Sequence, residues 1–320
     1  MNQVKRVNKI INYALAFLMA LSLLVMSGCA GITGSKELAQ TPTIASPTIG
    51  VDGVLRVGVD STKVPYAGYP KDKSRQAENL VGIDVDIAAA LAEQLGLKLQ
   101  LVDVAGMSAE ELFSSKAIDG IMDVEQTTSS TVKGTQVGPY ILSGPALFAV
   151  VKSDKLPNVE LSSLAGTKIA AQKDSLSSWS LEELIGAGTA DQRQNLDAAF
   201  TALQNGEVSY AAADAVMGSY LALEYNSVSC VKIMGTPIGI CMVVPTDNTQ
   251  LADTLTGALR SIRDNGVLKT VLSKWFGQVS ASVLMGSTAI TSQEANSSGA
   301  PSTNGTQIDT GEDLPDPSNA

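Results

Sequence analysis

At 320 residues, 44% of them apolar, the chain is long enough for one large or two medium hydrophobic cores. It contains no histidine, which removes the usual general base, the commonest zinc ligand and the Ser–His and Cys–His nucleophile pairs. A formal charge of −10 argues against nucleic acid as a partner, because phosphate binding needs a basic face.

In chain order, Lys5, Arg6 and Lys9 precede an apolar run over residues 14–26 that is too short to span a bilayer comfortably, the pattern of an export signal in residues 1–28. Residues 29–53 are rich in Thr, Ser, Pro and Gly with no apolar period, which predicts a flexible tether. Leu55, Val57 and Val59 alternate with Arg56 and Gly58, a strand with one buried face. A loop carrying Tyr66 follows. Gly82-Ile83-Asp84-Val85-Asp86 then opens a helix, with Asp84 expected as its N-cap and Asp86 beside its positive end. Ile87, Leu91 and Leu95 form its buried stripe, Gly96 stops it, and Leu97, Leu99 and Leu101 start a second strand. Such a unit puts its first loop at the carboxyl end of a strand, where open α/β sheets bind ligands.

Further on, residues 107–113 read as a short helix and residues 146–151 as a fully buried strand. Ser175, Ser177 and Ser178 stand at the start of a helix containing Leu181, Leu184 and Ile185. Another helix runs through Leu196, Phe200 and Leu203 to Asn205-Gly206, and a strand ends at Asp214. Leu251, Leu255, Leu259 and Ile262 mark an amphipathic helix. Residues 278–320 hold no Lys or Arg and little apolar surface, so they are expected to be disordered.

Several of these pieces, in their order and spacing, closely resemble family 3 of the extracellular solute-binding proteins, the amino-acid receptors of bacterial ABC importers. They are Leu55 to Asp60, Val64-Pro65-Tyr66, Gly82 to Ala88, Ile118-Asp119-Gly120-Ile121, Leu164 to Gln172, Gly206 to Asp214 and Lys274-Trp275-Phe276-Gly277. The resemblance implies an α/β, two-lobed periplasmic-binding-protein-like fold with two hinge crossings, near residues 148–151 and 239–244. Lobe 1 would span residues 54–147, lobe 2 residues 148–242, and residues 243–277 would return to lobe 1. Met26-Ser27-Gly28-Cys29-Ala30 resembles a lipobox with methionine in place of the usual leucine. Cleavage before a lipidated Cys29 would remove Lys5, Arg6 and Lys9 and take the charge from −10 to −13. The chain would then sit on the extracytoplasmic face of the cell membrane, as a monomer serving an ABC permease. Cys230 and Cys241 remain as an even pair. A disulfide between them is permitted, or they are two small buried hydrophobes.

The resemblance also implies the ligand contacts. Asp214 matches the acid that relatives use on a ligand ammonium, and a helix N-cap is its other role. Ser175 falls where relatives bind the ligand carboxylate, and Tyr66 where an aromatic ring packs on the ligand. Relatives have a Thr-x-x-Arg segment after the strand at Ile121. Here the segment is Asp123-Val124-Glu125-Gln126-Thr127-Thr128-Ser129-Ser130-Thr131, so the arginine position falls at Ser130 or Thr131. Thr127 and Thr128 remain as hydroxyl donors, Lys133 is the nearby charge, and Glu125 with Asp123 adds acid. The expected function is capture of an amino acid or related small amine, with no catalysis, cofactor or metal. Alternatives are an enzyme on the same fold, of dehydratase or wall-lytic type, and a sensor that no longer transports.

Overall fold

A computed structural model describes residues 41–127 and 130–286. They form ten strands in two five-stranded sheets, flanked by helices on both faces. In the first sheet β1 (Val54–Val59) lies between β2 (Lys98–Asp103) and β3 (Gly120–Glu125), parallel to both. Next to β3 comes β10 (Ile238–Val244), antiparallel, and then β4 (Thr135–Ser143) at the edge. The second sheet has the order β7 (Ala190–Arg193), β6 (Ile169–Gln172), β8 (Tyr210–Asp214), β5 (Pro145–Val150), β9 (Val228–Ile233).

The alternation read in β1 is the one observed, with Leu55, Val57 and Val59 fully buried. Helix α1 (Ile83–Gln94) buries Ile83, Ile87 and Leu91. It ends as the glycine signal predicts: Gly96 sits at φ 68, its N–H donates to the Glu93 carbonyl, and the Leu97 N–H reaches back to Ala92. The N-terminus differs from expectation. Gly82 is the N-cap, and Asp84 lies inside the first turn, fully buried, where its carboxylate accepts from the Tyr140 hydroxyl at 2.7 Å instead of from backbone N–H groups.

Helix α2 (Ala109–Ser114) follows β2, while α3 (Leu176–Leu184), α4 (Leu196–Gln204) and α5 (Ala215–Leu221) pack on the second sheet. The Phe148 and Phe200 rings meet there, tilted, at 5.0 Å, with Tyr225 edge-on to Phe200 at 5.5 Å. Helix α6 (Thr249–Asp264) returns to the first sheet with the predicted stripe buried.

Three boundaries move. β4 ends at Ser143 and β5 starts at Pro145, so the chain changes sheet at Gly144, before the 147/148 boundary drawn from the apolar run. All of β10 belongs to the first sheet, which puts the return between Ile233 and Ile238. Helix α7 (Val267–Leu284) does not stop at Gly277. It kinks there (φ 74, ψ 163) and continues, burying Val279, Ser280, Ala281 and Leu284, so residues 278–286 are structured. Residues 41–53, expected as tether, are also docked: Ile44 and Ile49 are buried, Thr43 N–H donates to the Leu95 carbonyl, and Asn248 donates to the Thr48 carbonyl. The export signal, Cys29, Thr128 and residues 287–320 lie outside the described residues.

Cys230 and Cys241 are free thiols, one in β9 of the second sheet and one in β10 of the first, so the permitted disulfide is not formed. Burial raises the Cys230 thiol to about 12 and the Cys241 thiol to about 11, which keeps both protonated and unreactive. Iodoacetamide should label neither in the native chain and both after denaturation, and a reductant should leave the melting temperature unchanged. Mass spectrometry and a thermal scan check this.

Candidate functional site

The parallel strands aim their carboxyl ends at the gap between the sheets, because β1, β3, β6 and β8 each end there in a loop or helix start. Tyr66 comes from the loop after β1. That loop is tied down by the first turn of α1, where the Ile83 N–H donates to the Pro65 carbonyl and the Asp84 N–H to the Tyr66 carbonyl. Asp123 and Glu125 sit at the end of β3, and Asp214 ends β8.

These side chains meet in a cavity of about 530 Å³, a fitting size for a small solute. Of the residues expected from sequence, Tyr66, Glu125, Thr127, Ser130 and Asp214 line it. Thr131, the other alignment of the missing arginine, lines it too. Ser175 lines an adjoining cavity of about 340 Å³ that shares Asp214 and Met217 with the first. Leu176, Leu196 and Met217 give this second chamber an apolar wall.

Asp214 lines the cavity and at the same time caps α5. Oδ1 accepts from the N–H groups of Val216 (3.0 Å) and Met217 (2.8 Å), capping α5, and Oδ2 accepts from the Ser143 hydroxyl at 2.9 Å. Ser143 stands at the sheet crossing, so the first sheet's last residue positions the second sheet's acid. Ser175 caps α3 by accepting from Ser178 N–H, and its hydroxyl donates to the Gln172 carbonyl at 2.7 Å.

Lys133, the cation expected near the site, is not the one the structure places there. Among the described lining residues the cation is Lys63, whose Nζ lies 2.8 Å from Asp123 Oδ2; Lys133 is not part of the lining. Burial lowers the Lys63 ammonium, but its hydrogen bond to Asp123 and the charges of Asp123, Asp60 and Asp84 outweigh this and hold it above its ordinary value. Burial pushes the Asp123 carboxyl up, against Lys63 and with help from Glu125 and Asp60. Tyr66 is raised by burial and then by Asp123, Asp214 and Asp84, so its phenol stays a donor between the acids.

Behind the cavity, Asp123 adopts the left-handed region at φ 57, and its N–H donates to the Tyr140 hydroxyl at 3.0 Å. Tyr140 in turn donates to Asp84 Oδ1, and Asp84 Oδ2 has no hydrogen-bond partner. Burial, then the Asp123 charge, raises Asp84 well above the carboxylate range, which favours its neutral form. Between about pH 4, where an unfolded aspartate titrates, and that raised value, the unfolded chain binds fewer protons than the folded one, so stability falls as pH rises. Asp84→Asn removes this slope. Relative to wild type, the variant should gain about 1.4 kcal/mol per pH unit above 4 until the native carboxyl ionises, measured by denaturant unfolding at pH 4, 5, 6 and 7. Parallel profiles would show Asp84 ionising normally.

A separate cavity of about 530 Å³ lies around Arg56, Lys116, Asp119 and Asn248. Arg56 and Asp119 pair there: Arg56 Nη2 lies 2.8 Å from Asp119 Oδ1, and the Gly50 and Arg56 N–H groups donate to the same carboxylate. No group of His, Cys, Asp and Glu among the described residues could hold a metal ion.

The family model for bacterial extracellular solute-binding proteins, family 3, matches residues 55–278. The L-cystine-binding protein TcyA of Bacillus subtilis (strain 168) is 25% identical over 269 residues, covering 83% of this chain and 96% of that protein. The ABC transporter glutamine-binding protein GlnH of the same strain is 26% identical over 274 residues, covering 83% and 97%. Among solved structures, the unliganded, open L-cystine solute receptor of Neisseria gonorrhoeae superposes with a TM-score of 0.58 at 19% identity, covering 72% of this chain and 95% of that one. An ancestral cyclohexadienyl dehydratase shares the fold with a TM-score of 0.56 at 18% identity, covering 70% and 92%.

Proposed function

Because the chain belongs to the bacterial extracellular solute-binding proteins, family 3, we propose that it captures an amino acid or a related small polar amine between two closing lobes and hands it to an ABC permease. The observation that carries this reading is that Tyr66 and Asp123 from the first sheet and Asp214 from the second face one cavity beside the two sheet crossings. A solute seated there touches both halves, so binding favours closure, and closure is the state a permease can distinguish. The curated relatives named above are transport receptors for amino acids, which fits this class. On the sequence pattern at Cys29, the mature chain is lipid-anchored on the extracytoplasmic face of the membrane.

An enzyme of the dehydratase type is the second reading, favoured by the shared fold and by the acids of the cavity. A thermal-shift screen of the purified chain against amino acids, amines and small peptides tests both. At one hundred times its Kd a ligand adds about 2.7 kcal/mol, or roughly 5–11 °C for a fold of this size. If no panel member shifts the transition, the receptor reading fails. Product formed from a prephenate-like acid would put the enzyme in its place.

A further inference from the structure

Granting that this cavity captures a solute, we propose that Asp123 sets the ligand class: it receives a second cationic group of the solute, at the place Lys63 Nζ now holds, so that the cavity takes a small dication with no free carboxylate, such as an alkyl diamine.

The charge balance is the first support. The described lining contributes three carboxyl groups, Asp123, Glu125 and Asp214, against the single ammonium of Lys63. A solute enclosed there must bring positive charge, because desolvated ions need paired partners. A zwitterion brings a carboxylate as well, and the described lining offers that group hydroxyls but no unpaired cation. Lys63 already pairs with Asp123 and stands in the field of Asp60, which repels a second anion. The Ser175 hydroxyl, the other group implied for a carboxylate, gives its proton to the Gln172 carbonyl.

The second support is the asymmetry of the Lys63–Asp123 pair. The Asp123 side chain is 10% exposed and that of Lys63 50%. Asp123 is fixed from behind by the bond from its N–H to Tyr140, whose ring is buried and whose hydroxyl is anchored on Asp84. Lys63 reaches in from the loop after β1 on a flexible four-carbon stem. When a competing ammonium arrives, the lysine is the member that can leave, and its half-exposed head is rehydrated at little cost. Lys63 therefore marks where a ligand cation sits, while Asp214, across the cavity on the second sheet, takes the other. Tyr66 lines the same cavity and lies within the field of both carboxylates.

Calorimetry on the full chain with 1,4-diaminobutane, L-arginine and L-glutamine tests this. The diamine should bind at least tenfold more tightly than either amino acid. Asp123→Asn should weaken the diamine at least 30-fold while leaving the fold intact, since asparagine tolerates the left-handed backbone found there. Lys63→Met, which removes the internal competitor, should tighten the diamine several-fold. If either amino acid binds more tightly than the diamine, or if Asp123→Asn changes nothing, the proposal is overturned and solute capture still stands. If no amine or amino acid binds at all, the receptor reading falls with it.

Discussion

Asp214→Ala should abolish the ligand-induced thermal shift and also lower the melting temperature of the unliganded chain, whereas Asp214→Asn should abolish only the first. In the proposed reading the carboxylate does two separable jobs. As the N-cap of α5 it accepts two backbone N–H bonds, and loss of such a cap costs about 0.5–2 kcal/mol. Asparagine caps nearly as well as aspartate, so the Asn variant keeps the helix start. What it loses is charge. Removing one partner of a buried ion pair costs about 2–5 kcal/mol, at least 30-fold in Kd. Titration calorimetry beside unliganded thermal scans resolves the two effects. An Asn variant that binds as wild type would place the solute away from Asp214.

Gly82→Ala produces the other large effect, on stability and on binding together. Gly82 holds φ 154 and ψ 176, a region open essentially to glycine alone, and an added Cβ would lie 2.0 Å from the Tyr66 carbonyl oxygen. That carbonyl accepts the Asp84 N–H, so the clash falls on the bond that seats the Tyr66 loop. The chain must either strain or release the loop, at a cost on the order of 3 kcal/mol, which is roughly 6–12 °C in melting temperature. Released, Tyr66 leaves the cavity wall. An unchanged melting temperature with unchanged ligand affinity would show that the loop accommodates the methyl group.

The legible parts of the sequence were those whose cause is local. The β1 alternation, the Gly96 stop and the α6 stripe depend on neighbours a few residues away, and all are as read. Asp214 and Tyr66, which line the cavity, each stand in a short ordered motif that carries the family resemblance. Lys63 was missed because its meaning depends on Asp123, which lies far along the chain and meets it only when β1 and β3 pair. The Asp84 cap was misassigned because a capping aspartate and a buried one look alike until Tyr140 is known to stand against it. Residues 41–53 and 278–286 looked too sparse to fold. Their few apolar side chains, Ile44, Ile49, Val279 and Leu284, dock on surfaces built by other elements, which composition does not reveal.

Helix α7 changes what the two crossings mean. Before Gly277 it is held to α1, where Lys274 and Trp275 both donate to Asp86; beyond Gly277, Ser280 accepts the N–H of Cys230 in the second sheet. The halves are therefore tied at three points, and the third is a bent rod whose elbow is a glycine. Any rocking of one half on the other has to flex that elbow as well as the two strands, which selects one axis of travel and limits its range.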